Sequence, residues 1–163
     1  MDHAFAIPHQ FVVQPAEKAL GRTLPSIPVY LACGVDPFIS FDRCIDLGEQ
    51  IRAAVESFDD DERVVIIGSG GISHWVGTVE MGKVDAEFDQ EILQHGVNGD
   101  LKALCSYSNE EILRRGGNGA MEIRTFAVAM AAVPNATGEI VAYEPVPEWV
   151  TGLGFLELIA GEK

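Results

Sequence analysis

The sequence has few basic side chains for its length. Lysine and arginine number 11 in 163 residues, against 25 aspartates and glutamates, which gives a formal net charge of −14 and an isoelectric point of about 4.5. Because the phosphates of nucleic acids are held by clustered lysines and arginines, this balance argues against a nucleic-acid partner. The acidic side chains are spread along the chain, apart from one short run at residues 59–62 that predicts a solvated loop.

Cysteine is also scarce, and no apolar run approaches the roughly 18 residues that cross a membrane. The few cysteines are widely spaced, are set among apolar residues and form no CxxC pair, which indicates reduced, buried thiols in a cytoplasmic protein. They are Cys33, Cys44 and Cys105. The N-terminal MDHAFAIPHQ has no basic segment of the kind that opens a signal peptide. We therefore expect no membrane partner.

An order of strand, helix and strand is present in the first half of the chain. The apolar runs 28–34 and 64–67 have the length of buried strands, and the glycine-rich stretch 68–71 follows the second run. Between the runs, apolar residues recur every three or four positions from Phe41 to Phe58, with Ser40 as a helix N-cap. This order predicts an α/β fold, with a mostly parallel sheet flanked by helices. The apolar content of 47% and the length suit a single domain over residues 1–163.

The rest of the chain gives weaker patterns. The proline-rich residues 1–28 predict loop and irregular structure. Beyond Asp85 the patterns are mainly helical, and the C-terminal tail alternates as strands do. The predicted helices cover 85–93, 99–106, 109–115 and 120–133, and the predicted strands cover 139–143 and 152–159.

The stretch from Gly68 to His74 is the first candidate site. In a parallel sheet, ligands bind beyond the carboxyl ends of the strands, where this glycine-rich turn would lie. The GSGGIS sequence lacks the lysine of a P-loop and the spacing of GxGxxG, so a phosphate site is disfavoured. His74 follows at once, and histidine is the usual acid or base near neutral pH. A capping or core histidine is the alternative, and the spacing leaves both open.

Two further residues stand out. His3 lies at the extreme N-terminus, where an exposed residue without function is the ordinary case. Glu122 lies in the first turn of an otherwise apolar, alanine-rich helix, where a carboxylate is costly unless it is paired or binds metal. A salt bridge to Arg124 or Arg115, or simple exposure, is the alternative to a metal ligand. His95 precedes Gly96 at a predicted helix end, which indicates a structural role.

Five segments in order resemble one family. They are DHAFAIP from Asp2, RCIDLG from Arg43, GSGGISH from Gly68, EFD from Glu87 and GGNGAMEIRT from Gly116. Together they resemble the C-terminal portion of class III extradiol ring-cleavage dioxygenases, the family of the protocatechuate 4,5-dioxygenase β subunit. The resemblance covers residues 2 to 133, and the tail matches nothing that we can place.

The resemblance implies a site for non-haem Fe(II), which opens a catechol-type ring with O2. By position, Glu122 matches the glutamate ligand of the iron. His74 matches the acid/base histidine, and His3 matches a second active-site histidine near the substrate. The glycines Gly70 and Gly71, with Ser73, would let the aromatic ring lie close to the backbone.

The same resemblance implies that the site is incomplete. The two iron-binding histidines of the family lie before the region that this chain matches, so a two-histidine, one-carboxylate triad cannot be completed from its residues. The chain is then either part of a dioxygenase or a non-catalytic partner or ligand-binding domain on the same fold. A third alternative, nucleotide binding at the glycine turn, lacks a phosphate-binding lysine. Association with a second copy or a partner subunit would cover the unpaired edge of a truncated sheet.

Overall fold

A computed structural model describes residues 2–58, 63–133 and 135–161. The chain divides into two compact units, Met1–Leu31 and Ala32–Lys163. The single domain expected over residues 1–163 stays a prediction, and each unit is described by itself. The solvated loop predicted at residues 59–62 lies outside the described residues.

The N-terminal unit is helical, so the loop predicted for residues 1–28 is wrong over most of that range. A π-helical turn joins two α-helices, and Gly21 ends the second with φ +66°. The elements are α1 His3–Pro8, the π-turn His9–Val13 and α2 Gln14–Leu20. The prolines misled the prediction. Pro15 occupies the first turn of α2, where a missing N–H costs nothing, and Pro8 is the last residue of α1.

The two predicted strands of the first half are not strands. Residues 28–34 and 64–67 are extended or irregular, and among the described residues none of them belongs to a sheet. A strand exists only when a neighbouring strand takes up its backbone N–H and C=O groups, and the described part of the chain offers none at these runs. The predicted mostly parallel sheet is therefore absent from the described residues, where the fold is mixed helix with a small antiparallel sheet.

The helix predicted from Phe41 is confirmed as α3, Phe41–Glu56. The hydroxyl of Ser40 caps it by accepting the N–H of Arg43 at 3.3 Å. The helix packs closely on α7, Ile123–Ala132. A Cβ added to Gly48 would lie 2.6 Å from Ala131 Cβ, so glycine permits this close approach.

The other predicted helices are also present, with shifted ends. They are α4 Ala86–Val97, α5 Leu101–Leu104 and α6 Asn109–Gly116, and a 3₁₀ turn Gly119–Glu122 leads into α7. Asp85, Asp100 and Ser108 each cap the helix that follows with a side-chain oxygen. Buried residues of α4 and α7 form much of the core of the second unit, including Phe88, Ile92, Leu93, Ile123 and Ala127.

The predicted strands of the tail are confirmed as an antiparallel hairpin. β1 Thr137–Val146 pairs with β2 Thr151–Ile159, from Thr137 opposite Ile159 to Val146 opposite Thr151, with an irregularity between Ile140 and Ala142. The 3₁₀ turn Pro147–Trp149 connects the strands, and both strands contact α4.

The expectations for thiols and membranes can be compared directly with the structure. Cys33 and Cys44 are buried, Cys105 is partly buried, and all three are free thiols. In the described ranges, no helix combines the length and the apolar character that crossing a bilayer needs.

Candidate active site around His74 and Glu122

The glycine-rich turn, residues 68–74, approaches the start of α7 more closely than any larger residue would allow. A Cβ added to Gly68 would lie 2.9 Å from Thr125 O, and one added to Gly70 would lie 2.8 Å from Glu122 Cβ. A Cβ on Gly71 would lie 2.7 Å from the His74 ring and 3.1 Å from Thr151 Oγ1. The room that these glycines leave is therefore occupied by the protein's own side chains, among them Glu122 and His74.

The backbone of His74 is held on both sides by the loop that precedes Glu122. Its N–H donates to Gly116 O at 2.8 Å, and its C=O accepts from the N–H of Gly119 at 3.0 Å. The Asn118 side chain then clamps Val76, accepting its N–H at 2.8 Å and donating to its C=O at 2.9 Å. These contacts bring the two motifs GSGGISH and GGNGAME together in space.

The side chain of His74 is 11% exposed and has a defined orientation. Nδ1 lies 3.1 Å from the carbonyl oxygen of Ile72. Since a carbonyl oxygen only accepts, this contact assigns the proton of the neutral ring to Nδ1 and leaves the lone pair on Nε2. Nε2 faces the Glu122 carboxylate, with 4.0 Å between Nε2 and Oε2. Nε2 is thus the atom of this ring that can take up a proton at the site.

Glu122 ends the 3₁₀ turn and is itself partly exposed. Its Oε2 accepts the N–H of Gly71 at 2.7 Å, which ties the carboxylate to the glycine turn. The alternative salt bridges are not formed in the described part of the chain. Arg115 pairs with Glu91 at 2.7 Å, and buried Arg124 donates to Ile39 O at 2.7 Å. Among the described residues, Oε1 of Glu122 has no hydrogen-bond partner, so this oxygen is available to bind another group.

Ser73 of the turn and Asp89 beneath it are both without exposed surface. Oδ1 of Asp89 accepts the N–H of Ser73 at 2.7 Å, and Oδ2 accepts the hydroxyl of Tyr143 at 2.7 Å. The Ser73 hydroxyl accepts the N–H of Asp85 at 2.8 Å. Burial raises the pKa of Asp89, although the hydrogen bonds from Tyr143 and Ser73 act in the opposite direction.

Sequence reasoning placed Asp89 and Asn118 in family segments but missed their roles, and it assigned no role at the site to Tyr143 or Thr151. The partners of Asp89 are 16 and 54 residues away, so no local pattern could have revealed them. For Ser73, a role in substrate contact stays a prediction, and the bonds described above support a structural one. The substrate contacts of Gly70 and Gly71 stay predictions as well.

The remaining histidines have simpler surroundings. His3 belongs to the N-terminal unit, where it opens α1 with a largely exposed side chain and its Nδ1 2.8 Å from Asp2 Oδ1. Its role near the substrate stays a prediction. His95 lies in the last turn of α4, as expected, and its Nε2 is 3.2 Å from the Tyr107 hydroxyl.

The donor set does not suit Fe(II) on its own. Among the described residues, no cluster of three or more histidine, cysteine or carboxylate side chains could hold a metal ion. Non-haem Fe(II) takes two histidines and one carboxylate, and only Glu122 corresponds to a ligand of that kind. The site therefore provides a base and one carboxylate, and further ligands would have to come from elsewhere.

Curated relatives resemble nearly the whole chain. A 2,3-dihydroxyphenylpropionate/2,3-dihydroxicinnamic acid 1,2-dioxygenase of Photorhabdus laumondii is 25% identical over 203 positions. The enzyme of the same name from Escherichia coli is 27% identical. Both matches cover 96% of this chain but only 62% of the relative. Because 203 positions exceed the 163 residues of this chain, the relatives also have internal segments that it lacks.

The family comparison extends the resemblance into the tail. The description that matches residues 1–154 is that of the catalytic LigB subunit of aromatic ring-opening dioxygenases. The match therefore includes the hairpin strand β1 and part of β2, which the sequence motifs did not reach. The chain belongs to the LigB family of class III extradiol dioxygenases, of which it covers only part.

Proposed function

We propose that this chain supplies the proton-transfer half of an extradiol ring-cleavage site, for which the substrate is an aromatic vicinal diol and the oxidant is O2. The main support is that His74 Nε2 and Glu122 Oε2 face each other at a distance of 4.0 Å. The backbone segments that carry these two residues are hydrogen-bonded to each other. Membership of a ring-opening family supports the reaction class. The names of the relatives, which describe dioxygenases of dihydroxylated phenylpropionate, support a catechol-type substrate.

His74 is proposed as the acid/base. Ring opening requires that a catechol hydroxyl lose a proton and that a leaving oxygen later gain one, and a neutral imidazole with a free Nε2 can do both. The Ile72 carbonyl holds the ring in the required tautomer. The burial of this side chain, which is 11% exposed, also limits the access of bulk water to that proton. His3 is proposed as a second proton-transfer residue, by its position in the family motif alone.

Glu122 is proposed as the carboxylate ligand of Fe(II), the metal that would bind the diol. One carboxylate does not bind Fe(II) tightly, so we propose that the remaining ligands come from a part of the family fold outside this sequence, and we derive no step that depends on the metal. By itself, the chain is expected to lack ring-cleaving activity. The cytoplasmic location suggested by its free thiols belongs to the same proposal.

The decisive experiment measures iron content and oxygen uptake with a panel of catechols. It compares this chain alone with the chain joined to the portion that the relatives have beyond it. Ring cleavage by the joined protein, and none by the chain alone, is expected. Failure of a well-folded joined protein to take up oxygen with any diol would refute the proposal.

Two variants of the joined protein separate the roles. His74→Ala should lower turnover strongly while iron content stays close to normal, since the imidazole moves protons and is not a metal ligand. Glu122→Ala should lose iron. Iron loss in His74→Ala would contradict the acid/base assignment, and full iron content in Glu122→Ala would contradict the ligand assignment.

A second candidate function is that of a non-catalytic partner domain, and one observation favours it. The apolar run, residues 64–67, forms no backbone hydrogen bond within the described part of the chain, and its Val65 is 81% exposed. An extended apolar segment with open backbone groups is a surface for pairing with another strand. A partner subunit or a second copy would then bind here. This candidate predicts a stable complex that fails to cleave any catechol.

A further inference from the structure

The backbone of Ser73, the residue immediately before His74, is hydrogen-bonded to two elements that are distant in sequence. Its N–H donates to Asp89 Oδ1 on α4 at 2.7 Å. Its C=O accepts the N–H of Gly152 on β2 at 3.0 Å. The hairpin and α4 therefore hold the backbone of Ser73 on both sides, and that backbone sets where the His74 side chain begins.

The Asp89 carboxylate is the centre of this arrangement. It has no exposed surface, and its second oxygen accepts the hydroxyl of Tyr143 on β1 at 2.7 Å. A Cβ on Gly152 would overlap Asp89 Oδ2, so the strand approaches the carboxylate as closely as glycine permits. A buried carboxylate is costly, and an apolar residue of similar volume often serves the stability of a core better. Its presence here therefore calls for a reason other than packing.

We propose that Asp89 and Tyr143 are positioning residues for His74, which hold its turn so that Nε2 faces Glu122. The hydroxyl of Tyr143 orients the Asp89 carboxylate, and that carboxylate accepts the N–H of Ser73. The backbone of Ser73 then sets the position of His74. The C-terminal hairpin is then part of the site. The effect of these two residues on catalysis rests on the proposed function, whereas their effect on the position of His74 does not.

The same helix carries a matched control. Two residues beyond Asp89, Glu91 accepts the Tyr107 hydroxyl at 2.6 Å, so a second tyrosine–carboxylate hydrogen bond of similar length is made to α4. Glu91 pairs with Arg115 at 2.7 Å, and among the described residues it forms no hydrogen bond with the glycine turn. Tyr107→Phe and Tyr143→Phe each remove one hydroxyl from such a bond. The carboxylate left behind holds Ser73 in Tyr143→Phe and does not in Tyr107→Phe. Tyr107→Phe also removes the contact of that hydroxyl with His95 Nε2.

The first test uses this chain as it is, labelled with ¹⁵N and studied by NMR at the same pH for every variant. Tyr143→Phe and Asp89→Asn should shift the Ser73 and His74 amide signals and the His74 ring nitrogen signals. They should also speed amide exchange at Ser73 by about tenfold or more. Tyr107→Phe should lower the melting temperature comparably and leave those signals in place.

Unchanged His74 signals in Tyr143→Phe would overturn the proposal, as would equal shifts in Tyr107→Phe. Tyr143→Phe keeps the test decisive if Asp89→Asn fails to fold, because it removes a single oxygen. The second test uses the joined, iron-loaded protein. There Tyr143→Phe should lower kcat about tenfold with little change in KM, since a small misplacement of the acid/base costs turnover before binding. If the wild-type protein cleaves no diol, the proposed function fails, while the NMR result still decides the positioning role.

Discussion

Two neighbouring stretches of this chain, the apolar run at residues 64–67 and the glycine-rich turn at residues 68–74, differ sharply in how they are held. Val65 in the run is 81% exposed and the run forms no backbone hydrogen bond in the described structure, whereas Ile72 in the turn is 1% exposed. The turn is bonded to Glu122, to Asp89 and to the loop around Gly116.

The difference lies in where each stretch finds its partners. The turn needs individual acceptors and donors, and the second unit of this chain supplies several of them, among them Glu122 and Asp89. The run needs a whole neighbouring strand, because each of its peptides has two polar groups to satisfy. The turn can therefore be held in place although, among the described residues, the run beside it has no neighbouring strand.

The largest effect on stability should come from truncating a buried side chain of the glycine-rich turn. Ile72→Ala removes a side chain that is 1% exposed, so we expect a loss of about 2–5 kcal/mol in the free energy of unfolding, from lost burial and the cavity left behind. Urea denaturation followed by circular dichroism measures it. Ile67→Ala makes the same change where the side chain is 46% exposed and should cost about 1 kcal/mol or less. Equal losses would abolish the distinction.

A smaller effect is expected at the glycine beside the imidazole. A Cβ on Gly119 would overlap the ring of His74, so Gly119→Ala should cost about 1–3 kcal/mol and displace the ring. Thermal unfolding and the His74 ring signals in NMR measure both consequences. Gly34→Ala is the control, since nothing lies within 4 Å of its added Cβ. A Gly119→Ala variant with native stability and native ring signals would show that the ring is loosely held.

Removing the side-chain clamp on the far side of His74 should cost less again. Asn118→Ala loses two hydrogen bonds to Val76 at an exposed position, and we expect about 0.5–1.5 kcal/mol. Amide exchange at Val76 should also become faster. Gln94→Ala removes another exposed amide side chain, bonded only to Asn98, and should change stability by about 0.5 kcal/mol or less. If the two variants behave alike, the Asn118 clamp does not hold the turn.

The smallest effect on stability is expected in the apolar run itself. Val65→Lys replaces an exposed side chain and should change the free energy of unfolding by about 0.5 kcal/mol or less. It should nevertheless reduce association at high protein concentration, because a charge on an open edge blocks strand pairing. Sedimentation velocity across a concentration series measures this. Strong destabilisation instead would mean that Val65 is buried in the folded chain.

Local patterns predicted the elements whose partners are close in sequence. The helix from Phe41 and its cap at Ser40 follow from periodicity and from a hydroxyl three residues before a free N–H. The hairpin of the tail was also predicted, since its two strands pair with each other. The run at 64–67 has the composition of a strand, yet composition cannot supply a neighbour, so that prediction was wrong. The N-terminal helices were missed because Pro8 and Pro15 indicated loops.

The candidate site likewise has one part that the sequence indicated and another that only the tertiary structure shows. The motifs alone singled out His74 and Glu122 as chemical groups, and family resemblance joined them. Only the tertiary structure brought Nε2 to 4.0 Å from the carboxylate, and only it revealed Asp89 and Tyr143 beneath the turn. Residue types and short spacings are properties of the sequence, and they determined the family and the helices around the site. Contacts across 16 to 54 residues depend on how helices and strands pack, and that packing decided which atom can take a proton and what holds it in place.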